Sequence, residues 1–120
     1  GAYYVHQPGY RKQFTKKLGY DPYPGTLNIR LDKRFLAEKN LLEMMPFILI
    51  DGFSNGERSY GPVRCYGVTI NGVTQANIIT ALRSHYGEDI LEVIAPINLR
   101  EKLGLRDGDM VRVRVSPTSR

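Results

Sequence analysis

The sequence predicts a mostly-β fold in which six or seven short strands and two brief helices close, or nearly close, into a small barrel. Three observations carry that expectation. Gly, Pro, Asn and Asp recur evenly along the chain, at the spacing of short strands separated by turns. Several segments alternate apolar and polar residues with the period of a half-buried strand. Finally, 120 residues suffice for one core of ordinary size, and closing the sheet removes its exposed edges. The whole chain, 1–120, is therefore expected to form a single domain.

Residues 2–7 are the first expected strand. Pro8-Gly9 opens a short helix with Tyr10, Phe14 and Leu18 on one stripe and Gly19 as its stop. The turn Asp21-Pro22-Tyr23-Pro24-Gly25 delivers the chain into an alternating strand at 26–31. Residues 32–45 read as a loop with a helical turn, 47–50 as a short buried strand, and 52–61 as a polar connection. Segments 63–70 and 73–79 flank Asn71-Gly72, the signal of a two-residue hairpin. A loop at 85–89 precedes another apolar strand at 90–95. Asn98 caps the second helix, with Glu101 placed for a capping box, Leu99 and Leu103 facing inward and Gly104 closing it. Asp107-Gly108-Asp109 then turns into the last strand, where Val111, Val113 and Val115 alternate with Arg112, Arg114 and Ser116. The tail from Pro117 frays.

Seventeen Lys and Arg against twelve Asp and Glu give a formal charge of +5, which favours anionic partners without choosing among nucleic acid, acidic membrane and phosphate. Cys65 is the sole cysteine, so there is no intrachain disulfide and no cysteine-rich metal site; it is compatible with a reducing compartment, and a cytoplasmic location is expected. The longest apolar run, 44–50, contains Pro46 and falls far short of the roughly 20 residues that a membrane helix needs. The opening GAYYVHQPGY lacks the basic start and apolar stretch of a signal peptide, and its first residue is Gly rather than Met, as in a trimmed or excised piece.

The segment Pro24-Gly25-Thr26-Leu27-Asn28 places Thr26 and Asn28 on one strand face and Leu27 and Ile29 on the other. A hydroxyl and an amide oxygen are hard ligands suited to Mg²⁺ when water and phosphates complete the shell; they equally suit the wet face of an amphipathic strand. Glu92 is a lone carboxylate inside an apolar strand, placed either as a base or hydrogen-bond acceptor or as an exposed-face residue. Ile97-Asn98-Leu99-Arg100 lies at a helix start, where free N–H groups and the Arg100 fork attract anions, although most helix starts bind nothing. His6 and His85 lack companions at zinc-ligand spacing, and no G-x-x-x-x-G-K-[ST] loop exists, which excludes an ordinary P-loop kinase. Eight tyrosines and the arginines are scattered rather than clustered, as packing and solvated-face residues are.

Together, PGYRKQFTKKLGYDPYPGTLNIRLD (8–32), YGPVRCYGVTING (60–72) and SHYGEDILEVIAPINLREKLGLRDGDMV (84–111) resemble the archaeal CTP-dependent riboflavin kinases, in order and over nearly the whole chain. The resemblance implies a six-stranded, Greek-key-like cradle-loop β-barrel that transfers the terminal phosphate of CTP to the ribityl 5′-hydroxyl of riboflavin, giving FMN and CDP. By the same resemblance Thr26 and Asn28 hold Mg²⁺. Ser84 and Glu92 contact the flavin, Glu92 being also the candidate catalytic base. Ile97, Asn98, Leu99 and Arg100 contact the nucleotide, as do Gly1 and Ala2 at the end of a glycine-rich loop, G-x-G-E-G, most of which is absent from this sequence. Ser84 stands where Thr is common, which keeps the hydroxyl. No membrane partner is expected. Nucleic acid is not expected to bind this domain, but the helix-turn-helix domain that some family members carry upstream would bring it. Two alternatives remain. LREKLGLRDGDMVRVRV also resembles the closing element of small transcription-factor barrels, which is a nucleic-acid-binding reading. The other is a flavin- or nucleotide-binding module without catalysis.

Overall fold

The computed structural model describes residues 4–81 and 89–116, and it is mostly β. Its elements are α1 (Pro8–Leu18), β1 (Leu27–Arg30), α2 (Leu36–Leu41), β2 (Ile48–Ile50), β3 (Phe53–Ser54), β4 (Ser59–Tyr60), β5 (Val63–Ile70), β6 (Thr74–Ala81), β7 (Ile90–Ile94), α3 (Leu99–Leu103) and β8 (Val113–Val115). Six strands form one curled antiparallel sheet in the order β1-β7-β6-β5-β2, and β8 pairs with the end of β5 that β2 leaves free. The sheet is open, a half-barrel consistent with the small barrel expected; β3 and β4 form a separate hairpin.

The β5–β6 ladder is the backbone of the sheet. It turns through Asn71, Gly72 and Val73: the left-handed pair Asn71 and Gly72, with φ of 52° and 73°, makes the tight turn that the Val73 N–H closes onto the Ile70 carbonyl at 3.1 Å, and Val73 is an extra residue before Ile70 pairs with Thr74. Along β5, Val63 and Cys65 point to one face while Tyr66, Val68 and Ile70 point to the other, and this alternation separates two apolar clusters. On one face Tyr10 and Phe14 of α1 pack with Ile50, Val63, Cys65, Ile79 and Ile94. On the other, Leu42 and Leu99 cover Leu27, Tyr66, Val68, Ile78, Leu91 and Val93.

Several boundaries depart from the sequence reading. The first expected strand is a 3₁₀ turn at Tyr4–His6, where Pro8 starts the helix at once and Val5 tucks beneath α1 instead of joining a ladder; Gly1 and Ala2 lie outside the described residues. There are three α-helices rather than two among the described residues. Segment 32–45 is helical, because the Asp32 carboxylate accepts from the Arg34 N–H at 2.9 Å and the residues that follow are mostly strong helix formers. The strand at 48–50 is an edge, not a buried strand, so Leu49 turns toward water. The polar connection 52–61 contains the β3–β4 hairpin, held to α1 by rings: Phe53 stacks on Tyr60 with centroids 4.7 Å apart and meets Tyr10 edge-on at 4.8 Å. The last strand keeps only Val113–Val115. Before it, the Arg112 N–H donates to Asn71 Oδ1 and the Asn71 N–H to the Arg112 carbonyl, both at 2.8 Å, docking the chain on the hairpin turn.

Candidate active site

β1 adds to the sheet along β7, and the register sets Asn28 directly opposite Glu92. Residues opposite one another in an antiparallel pair point to the same face. That face is the one α1 covers, because Glu92 is in turn opposite Ile79 of β6. Leu27 is buried in the other cluster with Ile29 packed against it, so Thr26 and Asn28 are left for the Glu92 face, as the alternation predicts. Glu92 is half-buried, Thr26 is half-buried and Asn28 is exposed. The register thus sets an amide oxygen and a carboxylate on one face, with the Thr26 hydroxyl just ahead of β1. Among the described residues no group of three or more His, Cys, Asp and Glu is gathered for a metal. The donor set that is present, neutral oxygens with one carboxylate, fits a hard cation whose shell is completed by phosphate and water.

The ends of β7 reach the other candidates. Beyond Ile94 the strand runs through Ala95-Pro96 into Ile97 and the cap of α3, where Asn98 Oδ1 accepts from the Glu101 N–H at 3.2 Å and Gly104 closes the helix at φ 63°. The turn that launches β1 is fastened there: the Tyr23 N–H donates to the Ala95 carbonyl at 2.7 Å, and Asn98 Nδ2 donates to the Tyr23 hydroxyl at 3.2 Å. Ile97 and Arg100 are exposed, with Arg100 paired to Asp107 at 3.0 Å. The Leu99 side chain is buried in the core, so only its main chain can meet a ligand. At the opposite end of β7, Arg30 pairs with Asp89 at 2.9 Å and the Leu31 N–H donates to the Asp89 carbonyl, pinning β1 there too. Ser84 and His85 lie outside the described residues.

The sequence reading treated the tyrosines as packing and missed two connections. Tyr20 donates to Asn77 Oδ1 at 2.6 Å, with the Ile94 carbonyl 3.3 Å away, and so ties β6 to β7 beneath the end of α1; burial raises the Tyr20 phenol pKa well above its ordinary value. The available signal was Asn77, an amide set between Ala76 and Ile78. Tyr23 is the second connection. Beside Tyr20, a cleft of about 400 Å³ opens between α1 (Lys16 to Leu18) and Pro46–Phe47, with Cys65, Gly67 and Asn77 on its floor. Of the nine described arginines, Arg11, Arg30, Arg34 and Arg100 each pair with an aspartate, and Arg58 and Arg64 lie over the rings of Tyr60 and Phe47. The Arg11 pair is two-pronged, and the guanidinium holds the Asp21 carboxyl below its ordinary range.

Residues 1–115 match the family model CTP-dep_RFKase, described as a domain of unknown function, DUF120. The chain is 51% identical to a riboflavin kinase of Archaeoglobus fulgidus over 96% of its own length and 49% of the relative's. It is 45% identical to a riboflavin kinase of Methanosarcina acetivorans, over 96% of this chain and 48% of that one. For a riboflavin kinase of Pyrobaculum arsenaticum the identity is 44%, over 96% and 54%. The chain therefore spans about half the length of the curated relatives it matches.

Proposed function

Because the chain belongs to the CTP-dependent riboflavin kinase domain family, we propose that it carries the transfer of the terminal phosphate of CTP to the ribityl 5′-hydroxyl of riboflavin. The observation that supports this most is the pairing of Asn28 with Glu92 across β1 and β7. Phosphoryl transfer demands little covalent chemistry of the protein and much positioning and charge neutralisation. β7 carries Glu92 opposite Asn28 and leads at its far end into the proposed nucleotide segment, Ile97 to Arg100; Ser84 is assigned to the flavin by the family resemblance alone.

In this reading Thr26 and Asn28 hold Mg²⁺, which when bound offsets the phosphate charge. Glu92 accepts a hydrogen bond from the ribityl hydroxyl and takes its proton as the oxygen bonds to the terminal phosphorus. The bond from that phosphorus to the bridging oxygen breaks, and CDP leaves with the electron pair. Asn98 and Arg100 offer side chains to the nucleotide, Leu99 its main chain, and Ile97 an exposed apolar contact. Gly1 and Ala2 complete the nucleotide contacts.

Incubating the protein with riboflavin, MgCl₂ and either CTP or ATP, followed by chromatographic separation of the flavins, tests the proposal. FMN formed with CTP, and far less with ATP, is the expected result. A folded protein that makes no FMN with either nucleotide overturns it.

A further inference from the structure

The Tyr23 hydroxyl is oriented in a way that a surface tyrosine ordinarily is not. The Asn98 amide cannot flip freely, because its Oδ1 caps α3 by accepting from the Glu101 N–H at 3.2 Å. Its Nδ2 is therefore the end that faces Tyr23, and it donates to the phenolic oxygen at 3.2 Å. A phenol that accepts one hydrogen bond still has its own hydrogen to give. Among the described residues Asn98 is the one hydrogen-bond partner of this hydroxyl, and the Tyr23 side chain is exposed.

The backbone fixes the residue as firmly as the side chain does. The Tyr23 N–H is held by the Ala95 carbonyl at 2.7 Å. The ring leans over Gly25, where a Cβ would come within 3.3 Å of its edge. Tyr23 thus stands at the start of the turn leading to Thr26 and Asn28 while touching Asn98. It joins the proposed metal strand to the proposed nucleotide segment.

We infer that Tyr23 is a nucleotide-binding residue, its hydroxyl donating a hydrogen bond to an oxygen acceptor of the nucleotide held between Thr26 and Asn98. The inference rests on the nucleotide site proposed above. It makes the Asn98–Tyr23 contact an orienting device, since the amide sends the phenolic hydrogen outward. Asn98→Asp retains a capping acceptor but gives the phenol a carboxylate to donate to, which turns that hydrogen inward and away from the ligand.

Calorimetric titration with CDP and Mg²⁺ tests this on the unmodified protein, Tyr23→Phe, Asn98→Asp and the double variant, with riboflavin titrations as the control. Loss of one such bond corresponds to about tenfold in affinity. Tyr23→Phe is expected to weaken CDP about tenfold and to leave riboflavin affinity and the melting temperature unchanged. Asn98→Asp, which also alters a side chain proposed to meet the nucleotide, is expected to weaken CDP at least as much, and adding Tyr23→Phe to it is expected to cost little further. Equal CDP affinity in the unmodified protein and Tyr23→Phe overturns the inference while leaving the kinase reading intact. No CDP binding by the unmodified protein overturns both.

Discussion

Glu92 is opposite Asn28 in one ladder and Ile79 in the other. Replacing it by Gln changes the charge and proton affinity but hardly the volume, so the fold should persist. General-base assistance contributes on the order of 10²–10⁴-fold. Glu92→Gln is expected to lower kcat for FMN formation by about that factor with riboflavin affinity little altered; unchanged kcat would remove Glu92 as the base. The alternation of Thr26 and Asn28 against Leu27 and Ile29 was legible in the sequence because period 2 is intrinsic to a strand. The Asn28–Glu92 pairing was not, because register between strands distant in the chain is set by tertiary packing. Tyr23 was illegible for a related reason: its meaning comes from Asn98, far along the chain and met only after β7 brings the two together.

At the scale of elements, α1 owes its position to more than the Tyr10–Phe14 stripe. Gly9 lies under the Phe53 ring, and a Cβ there would fall 2.5 Å from Cγ of that ring. Alanine is the better helix former by up to about 1 kcal/mol, whereas overpacking costs about 1–3 kcal/mol. Gly9→Ala is therefore expected to lower the melting temperature, and adding Phe53→Val to recover part of the loss. A melting temperature equal to or above that of the unmodified protein contradicts this packing. The same rings explain why β3–β4 escaped the sequence reading: the stretch Gly52 to Gly61 is polar and turn-rich, and its hairpin forms on long-range stacking with Tyr10 rather than on local pattern. By contrast α1, α3 and the β5–β6 hairpin were legible, since Pro8, Gly19, Asn98, Gly104 and Asn71-Gly72 are local signals that fix their own geometry. Segment 32–45 misled because its apolar residues include Leu41 and Met44, which remain exposed and so blur the helical stripe.

At the scale of the whole molecule, two ionisable groups sit under α1 in their neutral forms. Burial pushes the Cys65 thiol up to about 12 and raises the Tyr20 phenol as well. Both ionise more readily once the chain unfolds. The stability they contribute is complete below the ordinary thiol value of 9.0 and is lost as pH rises toward the folded-state values. The melting temperature should fall between about pH 9 and 12, and less steeply in Cys65→Ala than in the unmodified protein; parallel profiles would show that Cys65 is not the group responsible. The assembly of the site is likewise a property of the whole sheet. The half-barrel brings the start of β1, the middle of β7 and the cap of α3 together, whereas the cleft over Cys65, Gly67 and Asn77 lies toward β5 and β2 on the far side of the Tyr20 bridge.

The proposed metal-nucleotide centre lies at the Thr26–Asn28–Glu92 row. Mn²⁺ added in place of Mg²⁺ to the isotope-labelled protein with CDP would broaden amide resonances according to their distance from the ion. Residues 26–28 and 91–93 are expected to broaden first, followed by Tyr23 and Asn98, with Lys16, Phe47 and Gly67 around the cleft largely spared. Broadening centred on the cleft, or on exposed aspartates such as Asp51 and Asp107, would contradict it.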